Sequence, residues 1–345
     1  AQATRALEAQ TTGQLALFDE PLHEVGKAPA IKFPGWLMKN RKMTARVAAG
    51  LQQEIRGVQS VVARCDPQVA GLFRVLMSDA IARKIRMRFL GTGVGRFSLT
   101  FAKPSIAQIF SKSLARYVKV AATSEWLRQT IHLEFADAQV VRGDARRIPS
   151  RSGEFDVLVT SPPYLPASSG RESYAKARAP SLIALGMTTH EEVDSLADGS
   201  IGSMSGDGVD LESLSERERD IVEWLFRDEL RAIKAKPTAR YFLDMRRAFA
   251  EMRRVLTPGG YCVVISGKQS TFYQFSTRKA LYTVQSALIL AEEAQRAGFE
   301  VEGLHDVQLV KLNRNARPRS LDDYYETIIV LKNPGGEAKQ ARHTA

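Results

Sequence analysis

The sequence predicts an α/β protein: a class of fold in which helices cover a central sheet, here with a helical N-terminal segment and a helical insertion. Three observations support this prediction. The 345-residue chain is 44% hydrophobic and 25% charged, as expected for a globular protein. Apolar residues recur at helical spacing in the first third of the chain. From about residue 137 onwards, strand-like and helix-like segments alternate, which is typical of a mostly parallel sheet covered on both faces.

Each element is predicted from its local pattern. Apolar residues three and four positions apart predict the helices, which lie at 42–62, 66–86, 105–121, 240–256 and 281–297. Short apolar runs predict the strands, which lie at 138–141, 155–160, 261–265, 301–312 and 325–331. The fourth helix is stopped by Pro258-Gly259-Gly260, because the glycine pair allows a sharp turn.

These elements divide the chain into three regions. Residues 1–135 are expected to form a basic, mainly helical N-terminal region, and residues 136–335 the sheet-containing core. Within the core, residues 165–236 are rich in Ser, Gly and acidic side chains, with one helix near 214–234, and are expected to be an insertion. Residues 336–345 are expected to be a disordered tail.

The positive charge is unevenly distributed. Lys and Arg total 49 against 38 Asp and Glu, which gives a net charge of +11. From Lys32 to Glu125 there are 17 basic and 4 acidic residues, whereas from Glu191 to Glu229 there are 13 acidic residues and 3 arginines. The basic part could follow a nucleic-acid phosphate backbone, or it could be a solvated helical surface. The acidic stretch should repel phosphate.

The composition also argues against several classes of protein. No apolar run reaches the length of a membrane span, so no membrane association is expected. The two cysteines, Cys65 and Cys262, lie far apart and lack a C-x-x-C partner, so neither a disulfide framework nor a metal site is predicted. A reducing cytoplasm fits this cysteine usage, and no signal peptide is visible. Because the first residue is Ala1 rather than Met, we expect a processed chain or part of a longer protein.

The strongest functional signal follows the strand predicted at 155–160. It is the segment Thr160-Ser161-Pro162-Pro163-Tyr164. In an open α/β sheet, ligands bind at the carboxyl ends of the strands, where this segment lies. The prolines fix φ and remove two N–H donors, so the carbonyls of Ser161 and Pro162 are expected to point outward as rigid acceptors. Tyr164 supplies a flat face on which a flipped-out base can stack. The alternative is a proline-rich turn that only ends a strand.

This segment resembles the fourth motif of the amino-methyltransferases, in which Asp, Asn or Ser precedes Pro-Pro and an aromatic residue. The form found here is most similar to DNA methylases that modify cytosine N4, with adenine N6 next, and the resemblance covers about residues 100–333. It implies a class I methyltransferase (Rossmann-like) fold, S-adenosyl-L-methionine as methyl donor, double-stranded DNA as substrate, and base flipping. It also implies direct transfer without a covalent base adduct. The catalytic residues implied by the resemblance are Ser161, Pro162, Pro163 and Tyr164.

A second signal lies 17 positions before Ser161, in Val141-Arg142-Gly143-Asp144-Ala145. By the same resemblance, Asp144 at the end of a short strand accepts a hydrogen bond from the adenine amino group of the cofactor. Ala145 and Ser161 are then expected beside the cofactor as well. The alternative is an Asp that caps the next turn, which is frequent for Gly-Asp pairs.

The end of the predicted core carries a weaker likeness. The segment from Met252 to Tyr261 resembles the helix–Pro-Gly-Gly–strand step of methyltransferases, and the last two strands resemble their closing antiparallel hairpin. Arg314, Arg317 and Arg319 lie between those two strands. They could contact phosphate, or they could simply be solvated.

The family's glycine-rich first motif, usually Asp-Pro-Phe-x-Gly-x-Gly, holds the methionine part of the cofactor and is absent from this chain. In one interpretation, Gly91-Thr92-Gly93-Val94-Gly95 replaces it after a strand at 85–90, and Glu125 binds the ribose. However, no acidic residue precedes this loop, and Pro104 would interrupt the helix that should follow. In the interpretation that we favour, the first motif lies upstream of Ala1, and an upstream segment or subunit completes the cofactor site.

Three functions are compatible with these motifs. The first is a DNA amino-methyltransferase that makes N4-methylcytosine or, next, N6-methyladenine. The second is an RNA or protein N-methyltransferase, although those enzymes more often begin the motif with Asn. The third is a catalytically incomplete nucleic-acid-binding fragment, which would follow from loss of the first motif.

Overall fold

The computed structural model describes residues 31–89, 97–132, 136, 138–165, 174–203, 209–274, 276–277, 279–308 and 325–335. The chain divides into two compact units, which consist of residues 1–138 with 172–197 and residues 139–171 with 198–345. As predicted, the protein is mixed α/β, with a central sheet and helices. Residues 172–197 lie within the predicted insertion and belong to the first unit. The predicted tail at 336–345 lies outside the described residues.

Helices build most of the first unit. They are α1 (Gly35–Met38), α2 (Ala45–Ala63), α3 (Pro67–Lys84), α4 (Ile106–Thr130), α5 (Tyr174–Ala184) and α6 (Val193–Gly199). The helices predicted at 42–62 and 66–86 are confirmed as α2 and α3. Helices α1 to α4 share one hydrophobic core. Its fully buried side chains include Leu37, Ile55, Ile81, Ile106 and Phe110.

Helix α4 begins where it was predicted but continues well beyond residue 121. Its start is fixed by a capping box, in which the Ser105 hydroxyl accepts from the Gln108 amide at 3.2 Å and the Gln108 side chain accepts from the Ser105 amide at 3.0 Å. The first half buries an apolar stripe in the core, whereas the second half is largely exposed. An exposed helix needs no apolar period, which is why the sequence pattern ended too early.

A β-hairpin completes the described part of the first unit. Strands β1 (Ile85–Phe89) and β2 (Phe97–Phe101) pair antiparallel in a two-stranded sheet of their own. The glycine-rich segment 91–95 lies between these two strands in the chain and falls outside the described residues. A cofactor-binding glycine loop of the Rossmann type joins a strand of a parallel sheet to a helix. The interpretation of Gly91–Gly95 as the cofactor loop requires such a strand–loop–helix step, whereas β1 and β2 form an antiparallel pair.

The central sheet lies in the second unit and has the strand order β3-β4-β8-β7. Its strands are β3 (Phe155–Thr160), β4 (Leu256–Gly267), β7 (Glu300–Gln308) and β8 (Tyr325–Lys332). Strands β3 and β4 pair in parallel, and β8 pairs antiparallel with both β4 and β7, so β3, β4 and β7 run in one direction and β8 in the other. The predicted closing hairpin is confirmed, and the described strands agree with a mostly parallel sheet in which β8 is reversed.

Two helices, α8 (Ala235–Val255) and α9 (Ser286–Arg296), pack against this sheet. Along β4 and β8, fully buried residues alternate with half-buried ones, so one face of the sheet is packed more deeply than the other. The fully buried side chains on these two strands include Cys262, Val264, Ile329 and Leu331. At the start of β4, a Cβ on Gly260 would lie 2.9 Å from the Asp156 carbonyl. Glycine at this position therefore lets β4 approach β3.

The strand predicted at 138–141 is not formed. Residues 138–143 have no regular structure, and the side chains of Val140 and Val141 are 99% and 67% exposed. A strand requires neighbouring backbone groups to satisfy its own N–H and C=O groups. Among the described strands, none pairs with this segment. Its two valines therefore gave a local strand signal without a tertiary partner.

A second hairpin was also missed by the sequence analysis. Strands β5 (Ser270–Tyr273) and β6 (Ala280–Val284) pair antiparallel, so the helix predicted from residue 281 begins only at Ser286. Helix α7 (Glu216–Arg227) lies in the predicted insertion and contributes Trp224 to this region. The Trp224 ring stacks on Tyr282 of β6, with ring centroids 4.7 Å apart. This aromatic contact packs α7 against the hairpin.

A buried cluster of charged residues joins three helices of the second unit. Arg246 of α8 donates to Glu293 of α9 at 2.6 Å and to Glu218 of α7 at 3.3 Å, and both carboxylates are almost fully buried. Arg296 also bonds to Glu293. Desolvation is the main cause that raises the pKa of Glu218, and with the neighbouring charge of Glu293 the pKa reaches about 7.

This raised pKa predicts that stability depends on pH. The folded state holds a proton on Glu218 more tightly than the unfolded state, whose pKa is about 4.5. The contribution of Glu218 to the free energy of unfolding should therefore be largest below this value and should fall as pH rises to about 7. In urea titrations across this interval, Glu218→Gln should flatten the pH dependence. Glu216→Gln, a change at an exposed position on the same helix, should keep it; equal pH dependence in wild type and Glu218→Gln would contradict the prediction.

Two general features of the described residues bear on the class of protein. No described helix is both long and apolar enough to cross a membrane. Across the same residues, no group of three or more His, Cys, Asp or Glu side chains could hold a metal ion. Both cysteines are free, and burial raises the pKa of Cys262 to about 12.

Candidate active site

The Ser-Pro-Pro-Tyr segment follows the carboxyl end of β3, as predicted. Thr160, the last residue of β3, lies opposite Val264 of β4 in the parallel pair. Beyond it, Pro162 is buried, whereas Ser161 and Tyr164 are exposed. The prolines thus anchor the loop while the two side chains with hydroxyl groups remain accessible.

The ring of Tyr164 is held by the sheet. Its hydroxyl donates a hydrogen bond to Glu326 of β8 at 2.6 Å, and Glu326 lies opposite Gly267 at the end of β4. The Tyr164 side chain nevertheless remains 40% exposed. An aromatic ring that is both fixed at its hydroxyl end and exposed can stack on a planar ligand.

The backbone of the loop is held by helix α8. The buried hydroxyl of Tyr241 donates to the carbonyl of Pro163 at 2.8 Å. Burial raises the pKa of Tyr241, so this side chain stays a neutral donor. Gly202 packs against the side chain of Pro163, because a Cβ added to Gly202 would lie 3.3 Å from that side chain. The Pro163 carbonyl is therefore occupied by the protein itself.

Asp144 is held in a tight turn by Arg146. The carboxylate accepts from the backbone amide of Arg146 at 2.9 Å and from its guanidinium at 2.7 and 3.0 Å. These hydrogen bonds to Arg146 lower the pKa of Asp144. The turn-capping role considered as the alternative for Asp144 is thus present. Ala145 is the exposed residue at the tip of this turn.

Arg146 connects this turn to the rest of the second unit. Its guanidinium donates to Asp244 of α8 at 3.0 Å and to the carbonyl of Gly199 at 2.6 Å. Asp244 is almost fully buried, and Arg240 lies 3.5 Å away on the same helix. A buried carboxylate needs such partners, because desolvation of an unpaired charge is costly.

One turn of α8 therefore holds both predicted motifs. Tyr241 and Asp244 are three residues apart, so they lie on the same face of the helix. Tyr241 binds the Pro-Pro-Tyr loop, and Asp244 binds the Asp144 turn through Arg146. The short segment 199–202 contacts both as well, through the Gly199 carbonyl and Gly202. The two motifs thus share a common support within the second unit.

Other predicted site residues are not brought into this arrangement. Glu125, the ribose ligand in the interpretation based on Gly91–Gly95, lies inside helix α4. That interpretation requires a carboxylate at the end of a strand, so the position of Glu125 does not support it. In α4, Glu125 pairs with Arg128 at 2.7 Å, and this hydrogen bond is the main cause that lowers the pKa of Glu125 to about 2. Gly91–Gly95 and the arginines at 314, 317 and 319 lie outside the described residues.

Sequence analysis missed the residues that support the site. These residues are Tyr241, Asp244 and Glu326, and each lies 78 or more positions along the chain from the group that it binds. One signal was available for two of them: Tyr241 and Asp244 are polar residues on the apolar face of an amphipathic helix. Polar groups at core positions need partners, so they mark a helix face that binds something specific.

The described residues fit part of an S-adenosyl-L-methionine site. An ionised carboxylate can accept from about four donors. Asp144 is half exposed and accepts from three N–H groups of Arg146, which are the backbone amide, Nη2 and an Nε that both carboxylate oxygens share. It can therefore accept one more hydrogen bond from an amino group. The described strands of the second unit, by contrast, do not end in a G-x-G turn that could hold the methionine part. The fit is thus limited to the adenine side of the cofactor.

Comparison with known proteins gives weak likenesses. No protein-family model matches the chain, and no curated protein matches it either. One similar structure is a "putative DNA modification methylase" of Thermus thermophilus in complex with S-adenosyl-L-methionine, with 15% identity, a TM-score of 0.28, and coverage of 58% of this chain and 55% of that one. Another is a SAM-dependent methyltransferase of Methanosarcina mazei, with 10% identity, a TM-score of 0.23, and coverage of 55% and 64%. This chain spans little more than half the length of the Thermus protein, and such likenesses do not establish a family.

Proposed function

We propose that this protein transfers a methyl group from S-adenosyl-L-methionine to an exocyclic amine of a DNA base, with cytosine N4 as the first candidate and adenine N6 as the second. The observation that carries the proposal is the Ser161–Tyr164 loop at the carboxyl end of β3. Its backbone is fixed by Tyr241, and its aromatic ring is fixed by Glu326 and exposed. A rigid loop with an exposed hydroxyl and an exposed ring suits a flipped-out base.

In this proposal the loop residues have different roles. Ser161 accepts a hydrogen bond from the target amine and helps to align the nitrogen lone pair with the methyl group. Tyr164 stacks on the base. The amine need not lose a proton before it attacks, so no strong general base is required. Burial raises the pKa of both thiols, to about 12 for Cys262, so neither Cys65 nor Cys262 is the thiolate that ring-carbon methylation requires.

Asp144 is proposed to accept a hydrogen bond from the adenine amino group of the cofactor, with Ala145 beside it. Asp144→Ala should weaken S-adenosyl-L-methionine binding by about 1.5–3 kcal/mol, because a hydrogen bond to a charged group is lost. Asp144→Asn keeps an acceptor for the turn and should lose less. Calorimetric titration of the cofactor, in the protein with its cofactor site complete, distinguishes the variants. Wild-type affinity in Asp144→Ala would leave Asp144 with only its turn-capping role.

We also propose that a segment or subunit carrying the glycine-rich first motif completes the site beside β3. This strand pairs on one side only, with β4, among the described strands. Its side chains Val157 and Val159 are 58% and 65% exposed, although a strand of this apolar composition is normally buried on both faces. Ligands of open α/β sheets bind where the strand order reverses, which requires a strand on the open side of β3.

This proposal predicts that the 345-residue chain alone binds S-adenosyl-L-methionine barely or not at all. Calorimetry measures this directly. Tight binding by the chain alone would contradict the need for a completing segment. It would favour Gly91–Gly95 as the cofactor loop, in which case Gly93→Val should abolish binding by blocking close approach of the backbone.

The acceptor class is tested with S-adenosyl-L-methionine that carries a labelled methyl group. Label should appear in duplex DNA and not in RNA or protein. Label in RNA or protein instead would support the second function, which rests on the same loop. Binding of DNA without any methyl transfer, in the presence of the completing segment, would support a catalytically incomplete nucleic-acid-binding protein.

A further inference from the structure

We propose that a basic groove between helices α3 and α4 of the first unit binds the phosphate backbone of duplex DNA. The choice of DNA as the polyanion rests on the proposed function, whereas the groove itself is argued from its own residues. Its volume is about 440 Å³. The residues that line it are Asp79, Arg83, Ser113, Arg116, Tyr117 and Val120.

Arg83 is positioned by hydrogen bonds across the two helices. Its Nη1 atom donates to the Ser113 hydroxyl at 3.1 Å and to the Asp79 carboxylate at 3.4 Å, while the Ser113 hydroxyl also donates to Asp79 at 3.2 Å. The Arg83 side chain is still 54% exposed. A guanidinium that is held but accessible can contact phosphate with little loss of side-chain entropy.

Further positively charged residues are neighbours of the residues that line the groove. Lys112, Arg116 and Lys119 are exposed and occur four and three residues apart on α4, so they lie on one face of the helix. Arg86 is exposed and its Nε donates to the Arg83 carbonyl at 3.1 Å, which places it beside the groove. Of the six lining residues, Asp79 is the only acidic one.

The extent of this basic surface favours a polyanion over a single small anion. From Lys112 to Lys119 the helix rises by about 10 Å, at about 1.5 Å per residue. One strand of B-DNA presents a phosphate about every 3.4 Å along its axis, so this distance covers about three phosphates. Tyr117 is 44% exposed in the groove and offers a hydroxyl that can donate to a phosphate oxygen. A merely solvated helical surface would not need Arg83 to be fixed by residues of both helices.

The test measures DNA binding without S-adenosyl-L-methionine, so that its result does not depend on methyl transfer. The full chain is titrated into a short fluorescent DNA duplex at several salt concentrations. Loss of two phosphate contacts in Arg83→Ala/Arg116→Ala should reduce the slope of log affinity against log salt by about 2 and weaken binding about tenfold at low salt. Lys112→Ala/Lys119→Ala should act in the same direction, and it leaves the Asp79–Arg83–Ser113 network intact.

The matched control is Arg219→Ala/Arg227→Ala, which removes two exposed arginines from helix α7 in the acidic part of the second unit. This control should bind DNA as wild type does. Wild-type affinity and salt slope in both groove variants would overturn the proposal. If the groove variants lost affinity for duplex RNA to the same extent, the assignment to DNA would be overturned. If the groove variants bound DNA more weakly than wild type but the protein transferred no methyl group, only the proposed function would be affected.

Discussion

Replacing Ser161 with alanine should lower the rate of methyl transfer about 10- to 150-fold while leaving the dissociation constant for DNA nearly unchanged. The lost hydrogen bond is to an amine that becomes positively charged as it attacks the methyl group, and hydrogen bonds to charged groups contribute about 1.5–3 kcal/mol. It is made mainly in the transition state, so the loss appears in the rate. Single-turnover rates with saturating DNA, measured in the protein with its cofactor site complete, provide the test.

Tyr164, in the same loop, should fail in a different way. Tyr164→Ala removes the stacking face, which is worth about 1–3 kcal/mol per base, and should weaken capture of the base without changing cofactor affinity. Tyr164→Phe keeps the face but loses the 2.6 Å hydrogen bond to Glu326, so a small loss is expected. Ser213→Ala, an exposed change elsewhere in the second unit, serves as control. Wild-type rates in both Ser161→Ala and Tyr164→Ala would mean that the loop is only a rigid turn.

The second large effect is expected from Asp244→Ala. This carboxylate is almost fully buried and accepts from Arg146 at 3.0 Å, so its removal leaves the guanidinium without one charged partner. We expect the free energy of unfolding to fall by about 1.5–3 kcal/mol, since Arg146 keeps its bonds to Asp144 and Gly199. Cofactor affinity should fall as well, because the Asp144 turn loses its link to α8.

Urea unfolding of the chain and cofactor titration of the protein with its cofactor site complete measure the two consequences separately. Glu223→Ala is the matched control, because it breaks an exposed ion pair with Arg227 on α7. Such surface pairs contribute about 0–1 kcal/mol, so little change is expected. A loss of stability in Asp244→Ala no greater than that in Glu223→Ala would show that α8 does not support the Asp144 turn in this way.

The candidate site was predictable where its signal is local. Strand β3, its proline-rich end and the Asp144 turn each lie within a few consecutive residues, so composition and order were enough to find them. The helix cores were predictable for the same reason, because amphipathic periodicity reports which side of a helix is buried. Val140 and Val141 show the limit of such local signals, since an apolar pair forms a strand only with a partner.

The supports of the site could not be predicted, because they depend on contacts between distant parts of the chain. Tyr241 and Glu326 bind the loop from α8 and β8, and no local pattern pairs them with Pro163 or Tyr164. The second half of α4 was missed because it packs against little of the protein. Its residues are largely exposed, so packing does not require apolar side chains to recur there at helical spacing.

The most direct test of the account identifies the methylated nucleoside. Unmethylated duplex DNA is treated with the protein, its completing segment and labelled S-adenosyl-L-methionine, then digested and separated. We expect labelled N4-methylcytosine or N6-methyladenine, and much less of either nucleoside with Ser161→Ala. Labelled 5-methylcytosine as the sole product, or no labelled nucleoside at all, would contradict transfer to an exocyclic amine at the Ser161–Tyr164 loop.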